Sequence, residues 1–136
     1  MILCDTNILI ELYKNNQPIV EELRDIGQQQ LAISAITLGE LYFGALNKAE
    51  LKIIKQHLSL LYVIPINTAI SQHFVSLMES YALGHKLAIP DAFIAATALT
   101  HTIELYTLNT KNFRFIDSLK LYQPKHPRKA SNNDND

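Results

Sequence analysis

Three carboxylates interrupt apolar stretches of the chain: Asp5 in ILCDTNILI, Glu40 in AITLGELYFG and Asp91 in LAIPDAFIAA. An isolated carboxylate in such company is costly unless it is paired, hydrogen-bonded or metal-bound. Each also has an ordinary structural role. Asp5, Thr6 or Asn7 can cap a helix. Thr37-Leu38-Gly39-Glu40 matches the S/T-x-x-E capping box, which for Glu40 taken alone is the stronger reading. Asp91, behind Pro90, falls in a first helical turn, where the macrodipole and unpaired amides favour a negative charge. These local roles leave the shared apolar setting unexplained. If the three acids converge, repulsion raises their pKa values unless a divalent cation neutralises the cluster. Oxygen donors without Cys or His select Mg2+, with Mn2+ as a substitute. Such an ion activates water and stabilises charge on phosphate oxygens, so the expected chemistry is phosphoryl transfer.

Convergence needs elements that end at a common edge. Residues 1–4 read as a strand stopped by Asp5-Thr6-Asn7, then a helix. Over 18–26, Ile19, Val20, Leu23 and Ile26 recur at helical spacing with Glu21, Glu22, Arg24 and Asp25 opposite and Gly27 as the stop. A strand over 31–35 precedes helices over 37–45 and 49–60. A strand over 62–66, weakened by Pro65, leads to a longer helix through Ile70, Phe74, Leu77 and Tyr81 that stops at Gly84. Pro90 opens a helix to Thr100 whose Ala92, Ala95, Ala96 and Ala98 permit close packing. Short strands are expected over 103–106 and near 119–122. This alternation predicts an α/β fold with a mostly parallel sheet covered on both faces. Such a sheet turns residues at the carboxyl ends of its strands, Asp5 among them, toward a ligand crevice.

Composition sets the bounds. A length of 136 residues suits one domain, expected over 1–122, and 48% hydrophobic residues suffice for a core. Residues 123–136, with two Pro, several Asn and almost nothing apolar, are predicted to be a flexible tail. The lone Cys4 cannot form an internal disulfide, and no Cys/His pairs have zinc-finger spacing, which fits a reducing cytoplasm. No apolar run reaches the ~18 residues of a membrane span, and the start lacks the basic residues of a signal peptide. A formal charge of −1 excludes coating nucleic acid by charge alone, though not a local basic rim. Candidates for that rim are Lys111, Arg114 and a tail cluster of Lys125, His126, Arg128 and Lys129, for which simple solvation is the stronger reading. The five histidines are scattered without metal spacing, and Tyr42, Phe74 and Tyr81 fall on core stripes.

The segments DTNILIE (Asp5 to Glu11), ITLGELYFGA (Ile36 to Ala45) and PDAFIAATAL (Pro90 to Leu99) resemble the PIN-domain family, and within it the VapC-type toxins of toxin-antitoxin pairs. The resemblance covers nearly the whole chain. It implies a three-layer α/β/α sandwich and metal-dependent endoribonuclease activity. By the same carry-over Asp5, Glu40 and Asp91 hold the metal, supported by Asn109 or Asn112, while Thr6 and Thr107 orient water or phosphate. The family's closing acidic segment stands here as Thr107-Leu108-Asn109-Thr110-Lys111-Asn112-Phe113, with Asn112 at the last acidic position. The amides add no negative charge, which counts against a second tightly bound ion. The implied reaction is in-line attack of water on a phosphodiester, leaving a 5′-phosphate and a 3′-hydroxyl. The resemblance also implies an RNA substrate, a homodimer and a cognate antitoxin that covers the acidic cleft, with a basic side chain displacing metal. Two rival readings are a PIN fold that binds without catalysis and a receiver-type signalling module. The latter calls for paired acids after the first strand, where Asp5 stands alone.

Overall fold

In a computed structural model that describes residues 1–126, strands and helices alternate along the chain. β1 (Ile2–Cys4) leads into α1 (Thr6–Tyr13), and α2 (Gln17–Ile26) follows with Pro18 in its first turn. Gly27 then takes φ +92, a conformation that residues with a Cβ rarely adopt, and the helix ends. β2 (Leu31–Ser34) runs directly into α3 (Ala35–Phe43). After it come α4 (Lys48–Leu58), β3 (Tyr62–Ile64), α5 (Thr68–His85), α6 (Ile89–His101) and β4 (Glu104–Tyr106).

All four strands are parallel, in the order β3-β2-β1-β4. The chain steps outward from β1 through β2 to β3, then returns to add β4 on the other side of β1. The winding therefore reverses between β1 and β4, and connections leaving a sheet at such a point diverge and open a crevice. Asp5 follows β1 and Thr107 follows β4, so both stand at its mouth.

Alternation along the strands supplies two cores. Leu3, Ala32 and Leu105 face Ile70 and Leu77 of α5 and the alanines of α6. Cys4, Leu31, Ile33 and Tyr106 face Ile8 and Leu9 of α1, Ile19 and Leu23 of α2, and Ile54 and Leu58 of α4. Each fully buried Leu or Ile contributes roughly 1.5–3 kcal/mol. The result is the α/β/α sandwich expected from the sequence. Among the described residues, no helix is long and apolar enough to cross a membrane.

Four local expectations change. First, α3 starts at Ala35, where Ser34 Oγ accepts from Ile36 N at 3.0 Å, so Thr37 lies inside the helix and the Thr37–Glu40 capping box does not form. Second, α5 continues through Gly84 and ends with Lys86 at φ +53, because the buried Leu87 anchors the following turn. Third, the strand near 119–122 is a single bridge from Leu121 to Leu105, bounded by Leu105 N donating to Lys120 O and Tyr122 N donating to Leu105 O. Fourth, Glu22 is buried rather than on the solvent side of α2: its carboxylate accepts from the Tyr122 hydroxyl and, at 2.6 Å, from the His126 amide. The segment expected to be a flexible tail begins with that contact, while Arg128 and Lys129 lie outside the described residues.

Candidate active site

Asp5 both caps a helix and joins two strands. With an extended backbone at the start of α1, its Oδ1 accepts from Thr6 N at 2.8 Å, while Oδ2 accepts from Thr107 Oγ1 at 2.7 Å across the switch point. The side chain is only 5% exposed. Thr107 Oγ1 in turn accepts from Asn109 N at 3.1 Å and Asn7 Nδ2 at 3.4 Å, and Asn7 Oδ1 accepts from Leu108 N at 3.3 Å. These bonds fix the exit of β4 to the start of α1.

Glu40 enters from α3. Thr6 Oγ1 donates to Glu40 Oε1 at 2.7 Å and shares a hydroxyl–hydroxyl hydrogen bond of 2.9 Å with the buried Thr37. Thr37 and Glu40, three residues apart, lie on one helical face. With no capping box to occupy it, the Glu40 carboxylate is turned to the Asp5–Thr6 segment instead.

Asp91 enters from α6, half-buried in the first turn behind Pro90. Its pKa is pushed up to about 6, first by burial and then by the charges of Asp5 and Glu40. The first-turn position favours the anion by only about 0.3–1 kcal/mol, which these effects outweigh. Burial also raises Asp5; the hydrogen bonds from Thr107 and Thr6 oppose it, and the Glu40 charge adds to it. The three acids thus share one field. Beside them the Cys4 thiol is pushed up to about 12 by burial and by Asp5, which leaves it protonated and a poor nucleophile.

Asn112 lines a cavity with Asp91, whereas Asn109 contributes its backbone N–H to Thr107 and has an exposed side chain. Sequence reasoning missed Thr37 and the bridging role of Asn7. The spacing of Thr37 from Glu40 carries a signal with two meanings, since the three-residue interval of a capping box also puts both side chains on one helical face. Among the described residues, no three His, Cys, Asp or Glu side chains converge tightly enough to enclose an ion directly. Mg2+ retains several waters and takes one or two carboxylates, so an open, all-oxygen set of acids and hydroxyls fits it.

A profile of the PIN domain matches residues 2–118. The chain belongs to the PIN-domain family. It is 30% identical to Ribonuclease VapC10 of Mycobacterium tuberculosis over 88% of this chain and 91% of that protein. It is 29% identical to the tRNA(fMet)-specific endonuclease VapC of Shigella flexneri over 85% of this chain and 92% of the relative. Among solved structures, a toxin-antitoxin complex from Klebsiella pneumoniae contains a chain with 37% identity and a TM-score of 0.76, covering 88% of this chain and 95% of that one. Family membership and the four-strand order set aside the receiver-type reading, whose sheet follows a 2-1-3-4-5 order.

Proposed function

We propose that this PIN-domain chain is a metal-dependent endoribonuclease that acts as a toxin and is neutralised by a cognate antitoxin. The observation that carries the reading is the shared field of Asp5, Glu40 and Asp91 beside the β1–β4 switch point. Asp5 and Asp91 hold Mg2+, for which Mn2+ can substitute, and Glu40 completes the site at its more exposed side. The bound ion supplies Lewis acidity toward a phosphodiester and a water. Thr107 holds Asp5 in one orientation, and Thr6 does the same for Glu40. Asn112, beside Asp91, offers an amide oxygen to a water or to substrate. The relatives' names, a ribonuclease and a tRNA endonuclease, support RNA as the substrate.

The antitoxin partner is supported by the toxin-antitoxin complex among the structural relatives. An apolar groove of about 340 Å3 between α1, α2 and α4, lined by Leu12, Val20, Leu23 and Leu61, suits the apolar face of a partner segment. A basic side chain elsewhere on that partner, placed at the carboxyl edge of the sheet, would compete with metal for the acids. A homodimer is the proposed assembly, supported by Phe43 at 93% and Leu46 at 85% exposure, apolar surface that a second copy can cover. Light scattering should give twice the chain's 15.4 kDa.

The deciding test is cleavage of a mixed set of structured and unstructured RNAs with Mg2+, with Mn2+ and with EDTA, with Asp5→Asn and Asp91→Asn in parallel. Metal-dependent cutting absent from both variants supports the nuclease. Equal cutting by the variants indicates a contaminant. Metal and RNA binding without any cleavage would leave a PIN fold that binds only.

A further inference from the structure

Beside Asp91 lies a cavity of about 200 Å3, lined by His85, Lys86, Asp91, Lys111, Asn112 and Phe115, among others. Its size is below the ~300–1,000 Å3 of a drug-sized site, which limits it to a fragment of a ligand. One carboxylate residue, Asp91, and two lysines, Lys86 and Lys111, thus line the same space. Among the described residues, neither Lys86 nor Lys111 is paired with a carboxylate, although Asp91 lines the same space. Lys86 occupies the left-handed turn after α5 at φ +53, where Gly or Asn is the usual residue. An aromatic wall completes the cavity: His85 stacks on Phe115 with centroids 4.0 Å apart, and Tyr81 meets both rings edge-on.

We propose that this cavity seats one phosphodiester of single-stranded RNA next to the bond to be cut, held by Lys86 and Lys111. The inference rests on the ribonuclease reading and adds the residues that fix the strand's path. A strand running past Asp91 leaves the acidic site and meets the two cations within the same cavity. Cations along the backbone with aromatic rings beside them are the usual means of holding single strands. The lysines supply charge without base readout, so the site positions the strand and carries no sequence preference.

The test measures binding apart from cleavage: fluorescence anisotropy of a labelled, unstructured oligoribonucleotide in EDTA, at several salt concentrations. Full-length protein is compared with Lys86→Ala/Lys111→Ala, with Lys86→Arg/Lys111→Arg, and with Lys52→Ala/Lys55→Ala on α4, which changes the net charge equally. Losing this phosphate contact should weaken binding at least tenfold and lower the slope of log affinity against log salt by about 0.7. The Arg pair should keep the affinity, and the α4 pair should match wild type. An unchanged slope in the Lys86/Lys111 variant, an equal loss in the α4 variant, or no RNA binding by wild type would overturn the proposal. So would competition by inorganic phosphate that is independent of strand length, since it makes a free anion the occupant. Binding that follows this pattern, with no cleavage in Mg2+ or Mn2+, would overturn the nuclease and leave the cavity's role intact.

Discussion

Asp5, at the carboxyl end of β1, and Glu22, in the middle of α2, are both buried carboxylates, and their surroundings act in opposite directions. Burial raises the pKa of each. Around Glu22, the Tyr122 hydroxyl, the amides of His126 and Lys125 and the His126 charge more than offset that, and its pKa falls below the ordinary value. Around Asp5, Thr107 and Thr6 donate hydrogen bonds, but Glu40 adds repulsion and the net shift is upward. Asp91, facing both other acids, is pushed up to about 6. One buried acid is satisfied by the protein alone; the other belongs to a cluster that the protein leaves short of positive charge. A satisfied carboxylate holds structure together, and an unsatisfied cluster is poised for a cation or a proton.

Breaking the cluster should have the largest effect. Asp5→Asn and Asp91→Asn are each expected to lower metal-dependent RNA cleavage by about 10^3-fold, roughly 4 kcal/mol of transition-state stabilisation, in a single-turnover assay. Breaking the satisfied acid should act on stability instead. Glu22→Ala removes a buried acceptor that two partly exposed donors share and should cost about 1–3 kcal/mol, seen as a fall in Tm of several degrees, with cleavage per folded molecule unchanged. Glu40→Gln, at the exposed side of the cluster, should reduce cleavage by only about 10- to 100-fold.

The comparison sharpens with pH. The raised pKa of Asp91 means that the native state binds this proton more tightly than the unfolded chain. Asp91 should therefore contribute a fall in stability in EDTA as pH rises from about 4 to 6, and Asp91→Asn should reduce that decline in thermal melts, leaving the part that the raised Asp5 supplies. Glu22 has the opposite sign: its depressed pKa gives stability above about 4.5 that is lost as pH falls. The smallest effect concerns His126, whose Nε2 lies 2.6 Å from Asp25 Oδ2, with Nδ1 3.5 Å from Glu21 Oε2. Its hydrogen bond to Asp25 raises its pKa, so the contact holds below about 6.5 and weakens as pH rises through the higher folded value. Amide exchange at 123–126 should quicken over that range, and His126→Gln should remove the dependence.

Much of this was legible in the sequence, because the signals were local. Helical spacing placed α2, Pro90 marked the start of α6, and the β-α rhythm fixed the sandwich. The three acids were visible by their apolar neighbours. What failed had its cause elsewhere in the chain. Glu22 shares a run of polar residues with Glu21, Arg24 and Asp25, and nothing local reveals that Tyr122 and His126 return to cover it. The capping box was a good local match, but β2 ends at Ser34, whose hydroxyl caps the helix three residues earlier and frees Glu40. Gly84 was a good stop signal, but burial of Leu87 moved the turn to Lys86. Neither the Asp5–Thr107 bond nor the Thr6–Glu40 bond could be read from spacing, since each spans more than thirty residues.

The central claim is that the unsatisfied acids form a cation site and the satisfied one does not. Calorimetric titration with Mn2+ at pH 7.5 tests it most directly, on wild type, Asp91→Asn and Glu22→Gln. The account predicts saturable binding by wild type, equal binding by Glu22→Gln, and at least tenfold weaker binding by Asp91→Asn. Wild-type affinity in Asp91→Asn, or an equal loss in Glu22→Gln, would contradict it.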